Sequence, residues 1–225
     1  MVNAPPGLEY LALVDQLIIR QEVQMLAVFT GWETNNRYTV TNSANQTVYY
    51  AVEVNNFLTI NYFGSSRPFD MIILDNYRRE VLRINRPFRP EGFGFAGIVQ
   101  VIEVRSAVGQ LLGQVIEIWR MCGAQFRVNN ASGQTVLWIE GPACQCPFMD
   151  TDFKVLSTDG TMVVGTITRH FPGFLQEMYT KADVFGVRFP MDLDVAIKAV
   201  LLAATFLIDF MHFEVNRHRE RNSNY

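Results

Sequence analysis

The stretch that decides the fold runs from Val195 to Phe213 and reads VAIKAVLLAATFLIDFMHF. It contains no proline or glycine, so nothing in it interrupts a helix. Asp192 and Asp194 stand just before it; Asp192 is expected to cap the first turn and Asp194 to complement the helix dipole. The sequence therefore predicts a helix over about residues 193–214.

This helix is apolar nearly all round, so it must be enclosed either by protein or by lipid. The apolar side chains that would make this contact include Val195, Leu201, Leu202, Phe206 and Phe210.

Two interpretations of the helix stay open. Its nineteen residues span roughly 29 Å, just enough to cross a bilayer core. However, the longest run without a charged residue is only 199–208. Lys198 near one end could extend its ammonium group to the interface, but Asp209 and His212 lie inside the other end. So short an apolar run favours a core helix threaded through β-structure over a membrane span.

Residues 37–167 show a different pattern, with short runs rich in β-branched and aromatic residues. Turn-forming residues separate many of these runs, most clearly at 42–45, 129–133 and 158–160. The runs are residues 38–41, 47–54, 71–74, 81–84, 100–104, 111–119, 126–128, 136–139 and 153–156. Such spacing without long helices predicts an antiparallel barrel or sandwich.

An internal repeat supports a single sheet system. The run YTVTNSANQTV, from Tyr38 to Val48, aligns with FRVNNASGQTV, from Phe126 to Val136. We interpret the two as one hairpin used twice.

Upstream of this region, apolar residues at helical spacing predict a helical segment over about residues 8–29.

Composition sets the remaining limits. A chain of 225 residues with 49% hydrophobic residues is expected to form one large domain. A net charge of −3 argues against general nucleic-acid binding. Three cysteines are too few for a disulfide framework, and the first residues lack a secretory signal pattern, so a cytosol-facing domain is expected.

With these elements in place, the chain resembles the phospholipid scramblase family from Pro5 to about Glu214. The resemblance lies in long stretches: PPGLEYL (5–11), TGWETNN (30–36), SRPF (66–69) and ADVFGVRFPMDLD (182–194). It implies a mostly β, tubby-like fold, in which a closed antiparallel β-barrel surrounds a central hydrophobic C-terminal helix.

The family's calcium segment corresponds to Lys181 through Asp192. Numbered as an EF-hand loop from Lys181, this segment has Asp183 at position 3, Gly186 at position 6 and Asp192 at position 12. Lys181 replaces the acidic residue usual in the family, which should weaken binding. Asp183 and Asp192 are thus the candidate calcium ligands; the alternative makes Asp192 a helix cap and Asp183 a turn residue.

The family also attaches lipid to a cysteine-rich stretch, but the corresponding run EGFGFAG (91–97) contains no cysteine. Cys144 and Cys146 are the remaining candidates for acylation, with reduced surface thiols as the alternative. The sequence shows no nucleophile motif, no P-loop and no dinucleotide fingerprint, so no covalent catalysis is expected.

The resemblance implies calcium-stimulated, ATP-independent, bidirectional movement of phospholipids between membrane leaflets. The expected partners are membrane phospholipids and calcium, together with a homo-oligomer and protein partners, and the expected location is the plasma membrane. The alternative is a membrane-tethered, tubby-like adaptor that binds lipids or proteins and moves no lipid.

Overall fold

The computed structural model describes residues 4–22, 36–54, 68–87, 99–143, 149–170 and 184–213. Within these ranges, twelve β-strands form a closed barrel in the order of the chain, and one α-helix follows them. The strands are β1 Gln16–Gln21, β2 Arg37–Thr41, β3 Thr47–Glu53, β4 Phe69–Leu74, β5 Glu80–Arg86, β6 Val101–Ser106, β7 Leu111–Ile118, β8 Gln125–Asn130, β9 Thr135–Glu140, β10 Thr151–Leu156, β11 Val163–His170 and β12 Val184–Arg188. The helix, α1, is Val195–His212.

The sheet closes through β1, which pairs antiparallel with both β12 and β2. In this register Leu17 lies opposite Val187, and Ile19 lies opposite both Val40 and Phe185. Buried and less buried residues alternate along most strands, as expected for a barrel with a packed interior. The predicted closed antiparallel barrel is confirmed, and the sandwich is excluded.

The two ends of the barrel differ. Because successive strands are antiparallel, their connections alternate between the ends. Short turns at residues 42–46, 75–79, 107–110, 131–134 and 157–162 lie at one end, where the chain also leaves β12 for the helix. We call this the turn end and the opposite end the loop end.

The internal repeat corresponds to two hairpins with the same turn. Asn42 Oδ1 accepts from the backbone N–H groups of Ala44 and Gln46, and Asn130 Oδ1 accepts from those of Ser132 and Gln134. Asn45 and Gly133, at equivalent positions, both have positive φ, at 60° and 81°. This left-handed conformation favours asparagine and glycine, so the sequence repeat encodes a repeated turn.

Helix α1 runs through the interior of the barrel. Phe206 contacts Tyr38 of β2 edge-on, with ring centroids 5.1 Å apart. Phe210 stacks on Phe69 of β4 at 4.4 Å. The five side chains predicted to contact protein or lipid are all buried.

Strands on several sides of the barrel therefore enclose the helix. By length and composition α1 would also suffice to cross a membrane, but 83% of it is buried inside the protein. In this structure the core-helix interpretation holds.

The predicted N-terminal helix over 8–29 is wrong in its described part. Glu9–Leu13 is one turn of 3-10 helix, and β1 begins at Gln16. In QLIIRQ the buried residues Leu17 and Ile19 alternate with less buried ones, and pairing with two neighbouring strands fixes the extended conformation. Tertiary pairing thus overrides the apparent helical spacing; residues 23–29 lie outside the described residues.

Candidate functional site

Helix α1 begins at a carboxylate cap. Asp194 Oδ1 accepts hydrogen bonds from the backbone N–H groups of Ala196, at 2.9 Å, and Ile197, at 3.2 Å. These bonds satisfy two of the donors that every helix start leaves free. The assignment of the cap to Asp192 is therefore wrong, because Asp192 lies two residues further out, exposed on the loop from β12.

The first turns of the helix contain a fully buried lysine. Lys198 has no exposed surface. Its Nζ donates to the backbone carbonyl oxygens of Leu11 at 2.9 Å, Val14 at 2.8 Å and Met191 at 2.7 Å. All three N–H donors of an ammonium group are thus used, which offsets the cost of removing the charge from water.

The charges around Lys198 are acidic. Burial lowers the pKa of Lys198, and the negative charges of Asp15 and Asp192 oppose this by raising it. Its Nζ also lies 5.1 Å from the ring centroid of Phe189. Lys198 thereby fixes the 3-10 turn and the β12–α1 loop to the helix, so one buried ammonium group holds these segments together at the turn end.

A second buried polar group lies towards the loop end. The Asp209 carboxylate is buried, and its Oδ2 accepts from the Tyr38 hydroxyl at 2.7 Å. The acid that made a membrane span doubtful is therefore bonded inside the barrel. A span in lipid would have to give up this bond.

At its C-terminal end the helix presents His212 to aromatic rings. The imidazole lies 6.0 Å from the ring of Phe153 and 6.4 Å from that of Phe126, between centroids. Among the described residues, its buried Nε2 has no hydrogen-bond partner. Burial lowers the pKa of His212, because the charged form is poorly solvated there.

The described part of the predicted calcium segment begins with strand β12, Val184–Arg188. Gly186, at the position where an EF-hand turns sharply, pairs in extended conformation with Ile18 and Thr168. The strand carries the chain about 13 Å from Val184 to Arg188. Asp192 lies beyond the turn end of β12, on the loop that leads into α1.

Asp183, Cys144 and Cys146 lie outside the described residues. Calcium ligation and acylation at these positions stay predictions. Within the described ranges, no group of three histidine, cysteine, aspartate or glutamate side chains is arranged to hold a metal ion. Cys122, on the β7–β8 connection, is an exposed free thiol.

Sequence reasoning missed the partners of the two buried charges. It considered Lys198 only as a side chain that could reach a membrane interface if the helix spanned the bilayer, whereas the carbonyls that bind it are up to 187 residues away in the chain. Tyr38, the donor to Asp209, is 171 residues away. The only signal was a lysine and an aspartate inside an otherwise apolar helix, which indicates that partners exist but not which residues they are.

Comparisons with known proteins agree with this architecture. A family model described as Scramblase matches residues 1–215. Mouse phospholipid scramblase 1 is 46% identical over 223 residues, covering 99% of this chain and 68% of that protein. Bovine phospholipid scramblase 2 is 46% identical over 218 residues, covering 96% and 74%, and human phospholipid scramblase 4 is 38% identical over 218 residues, covering 95% and 66%. No solved structure matches.

Proposed function

This chain belongs to the scramblase family, and from that membership we propose that it moves phospholipids between the two leaflets of a membrane. The observation that carries the proposal is the family match over residues 1–215, together with 46% identity to a protein named phospholipid scramblase 1. Lipid translocation makes and breaks no covalent bond, so no catalytic residue is assigned.

The finer parts of the proposal are that the movement is bidirectional, ATP-independent and stimulated by calcium. Movement down a concentration gradient needs no nucleotide, and the sequence contains no P-loop. Calcium stimulation rests on the family resemblance alone. Because the segment 181–192 includes a full strand, we assign no step to an ion held by Asp183 and Asp192 together.

We further propose that the barrel stays closed around α1 while lipids move. Withdrawing the helix would break the three hydrogen bonds of Lys198 and the bond between Tyr38 and Asp209. It would also empty a core that includes Leu201, Leu202 and Phe206. The domain then acts from the cytosolic surface of the membrane, proposed to be the plasma membrane, by thinning the bilayer locally or by self-association.

The test is reconstitution of the purified protein into vesicles that carry a fluorescent lipid in both leaflets. Dithionite, added outside, bleaches only lipid that reaches the outer leaflet. With protein present, the bleached fraction should rise above that of protein-free vesicles, and calcium should increase the rate. Equal bleached fractions with and without protein would contradict the proposal.

A second candidate function is a membrane-tethered adaptor that binds lipids or partner proteins without moving lipid. The enclosed helix favours it, since α1 is occupied as the barrel core and supplies no polar path through a bilayer. The adaptor predicts flotation with anionic vesicles and no gain in dithionite bleaching, so the same vesicles distinguish the two functions.

A further inference from the structure

An open cleft of about 310 Å³ lies beside the point where α1 enters the barrel. The lining comes from the start of β1 and the residue before it, from β11, and from the end of β12 and the loop that follows. It consists of Asp15, Gln16, Val164, Arg188, Phe189 and Pro190. A backbone hydrogen bond from Phe189 N to Asp15 O, at 2.9 Å, joins two of these segments. The volume is at the lower limit of the roughly 300–1,000 Å³ of small-molecule sites, which suits a lipid headgroup but not acyl chains.

The cleft has one positive and one negative side chain that are both available to a ligand. Arg188 and Asp15 are exposed. Within the described ranges, neither side chain makes a hydrogen bond or ion pair, although Gln16, next to Asp15, lies opposite Arg188 in the sheet. By contrast, Arg79 and Arg83 at the same end are paired with Asp75 and Glu80.

Exposed apolar side chains lie on the same segments as the cleft. Leu13, which is 71% exposed, precedes Asp15 by two residues, and Met191 directly follows Pro190. Val163, also exposed, precedes Val164. Lys198 keeps the first two close together, since its ammonium group bonds the carbonyls of Val14 and Met191. Large apolar side chains around a charged cleft are typical of a surface that contacts a membrane interface.

We propose that this cleft binds the headgroup of an amine-bearing phospholipid in a membrane surface. Arg188 binds the phosphate, Asp15 binds the ammonium group, and Leu13, Met191 and Val163 insert between neighbouring lipids. The guanidinium group matches two phosphate oxygens at once, and the carboxylate accepts from the amine, so the opposite charges complement a zwitterion. The inference rests on the proposed function in that it names a lipid contact for it.

The experiment is a backbone amide NMR titration of the full chain with dihexanoylphosphatidylethanolamine below its critical micelle concentration. Shifts should centre on Gln16, Arg188 and Phe189. Arg188→Gln should weaken binding about tenfold, as expected for the loss of a charged hydrogen bond. Arg37→Gln is the matched control, because Arg37 is an exposed arginine of β2 at the loop end.

The role of Asp15 is tested by comparing lipids with and without an amine. Wild type should prefer dihexanoylphosphatidylethanolamine to dihexanoylphosphatidic acid, and Asp15→Asn should abolish that preference. Equal weakening by Arg188→Gln and Arg37→Gln would overturn the proposal. Inorganic phosphate that binds as tightly as the lipid would also overturn it, since the site would then recognise phosphate alone.

The two proposals fail separately. A wild type that binds the headgroup through Arg188 but moves no lipid in the dithionite assay would contradict the proposed function and support the cleft. An Arg188→Gln variant with unchanged headgroup binding, in a protein that moves lipid, would contradict the cleft and leave the function standing.

Discussion

At the turn end, the ammonium group of Lys198 joins three parts of the chain: the 3-10 turn through Leu11, the start of the barrel through Val14 and the β12–α1 loop through Met191. The bonds to the carbonyls of Leu11 and Val14 are buried, so these two acceptors are withdrawn from water along with the ammonium group. A side chain without donors at this position would leave buried acceptors unpaired, which costs more than the hydrogen bonds themselves contribute.

Lys198→Met should therefore lower the free energy of unfolding by about 3–5 kcal/mol. Lys154→Met is the matched control: Lys154 is exposed on β10, and its loss should change stability by less than about 0.5 kcal/mol. Urea unfolding followed by circular dichroism measures both. Similar midpoints for the two variants would show that the bonds to Lys198 contribute little.

His212 should make the protein less stable in mild acid. The unfolded side chain takes up a proton below about pH 6.5, whereas the folded one, with its pKa lowered by burial, stays neutral to lower pH. The unfolded state therefore binds more protons in this range, and stability falls as the pH falls, by up to about 1.4 kcal/mol per pH unit.

His212→Leu removes this titration and should flatten the dependence. Urea unfolding at about pH 7.5 and about pH 5.5 gives the comparison, with each protein at the higher pH as its own reference. The difference between the two pH values should be smaller for the variant than for wild type. The same difference in both proteins would exclude His212 as the group responsible.

At the scale of elements, α1 serves as the barrel core rather than as an independent helix. Leu202, near its middle, is 1% exposed and belongs to the cluster of buried apolar residues that fills the barrel. A lysine there would place an unpaired charge inside the barrel, where no water solvates it.

Leu202→Lys should accordingly cost more than about 5 kcal/mol and leave the purified protein largely unfolded in solution. Leu202→Ala, which creates a cavity without burying a charge, should cost less and still fold, at about 2–5 kcal/mol. Near-ultraviolet circular dichroism shows whether each variant is folded, and urea unfolding gives its free energy of unfolding, both in solution without membranes. A folded Leu202→Lys variant of wild-type stability would mean that the helix is not enclosed in solution.

The sequence predicts these elements unevenly. Alternating β-branched and aromatic residues predict most of the strands, because pleated strands bury every second side chain. They do not distinguish a barrel from a sandwich, since closure depends on the pairing of Gln16–Gln21 with Val184–Arg188, at opposite ends of the chain. The same long-range pairing explains why the helix predicted for the N-terminal segment is a strand from Gln16 onward. Hydrogen-bond partners are also far apart in the chain, as Tyr38 is from Asp209, so no local sequence pattern reveals them.

The whole molecule has one end that suits a membrane surface. The turn end has the cleft, with Arg188 and Asp15, and the exposed side chains of Leu13 and Met191. The helix begins at this end and is enclosed from there on by the barrel wall. We therefore expect the folded barrel to work on lipids from outside the hydrocarbon core, with α1 enclosed in the barrel throughout.

Quenching of tryptophan by lipids with spin labels on their acyl chains tests this claim most directly. Trp32, Trp119 and Trp138 are replaced by phenylalanine, and one tryptophan is introduced by Phe206→Trp in α1 or by Leu13→Trp at the turn end. In vesicles where lipid movement is measured, the account predicts strong quenching of the tryptophan at 13 and little at 206. Quenching at 206 as strong as at 13 would show that the helix enters the bilayer and would contradict the account.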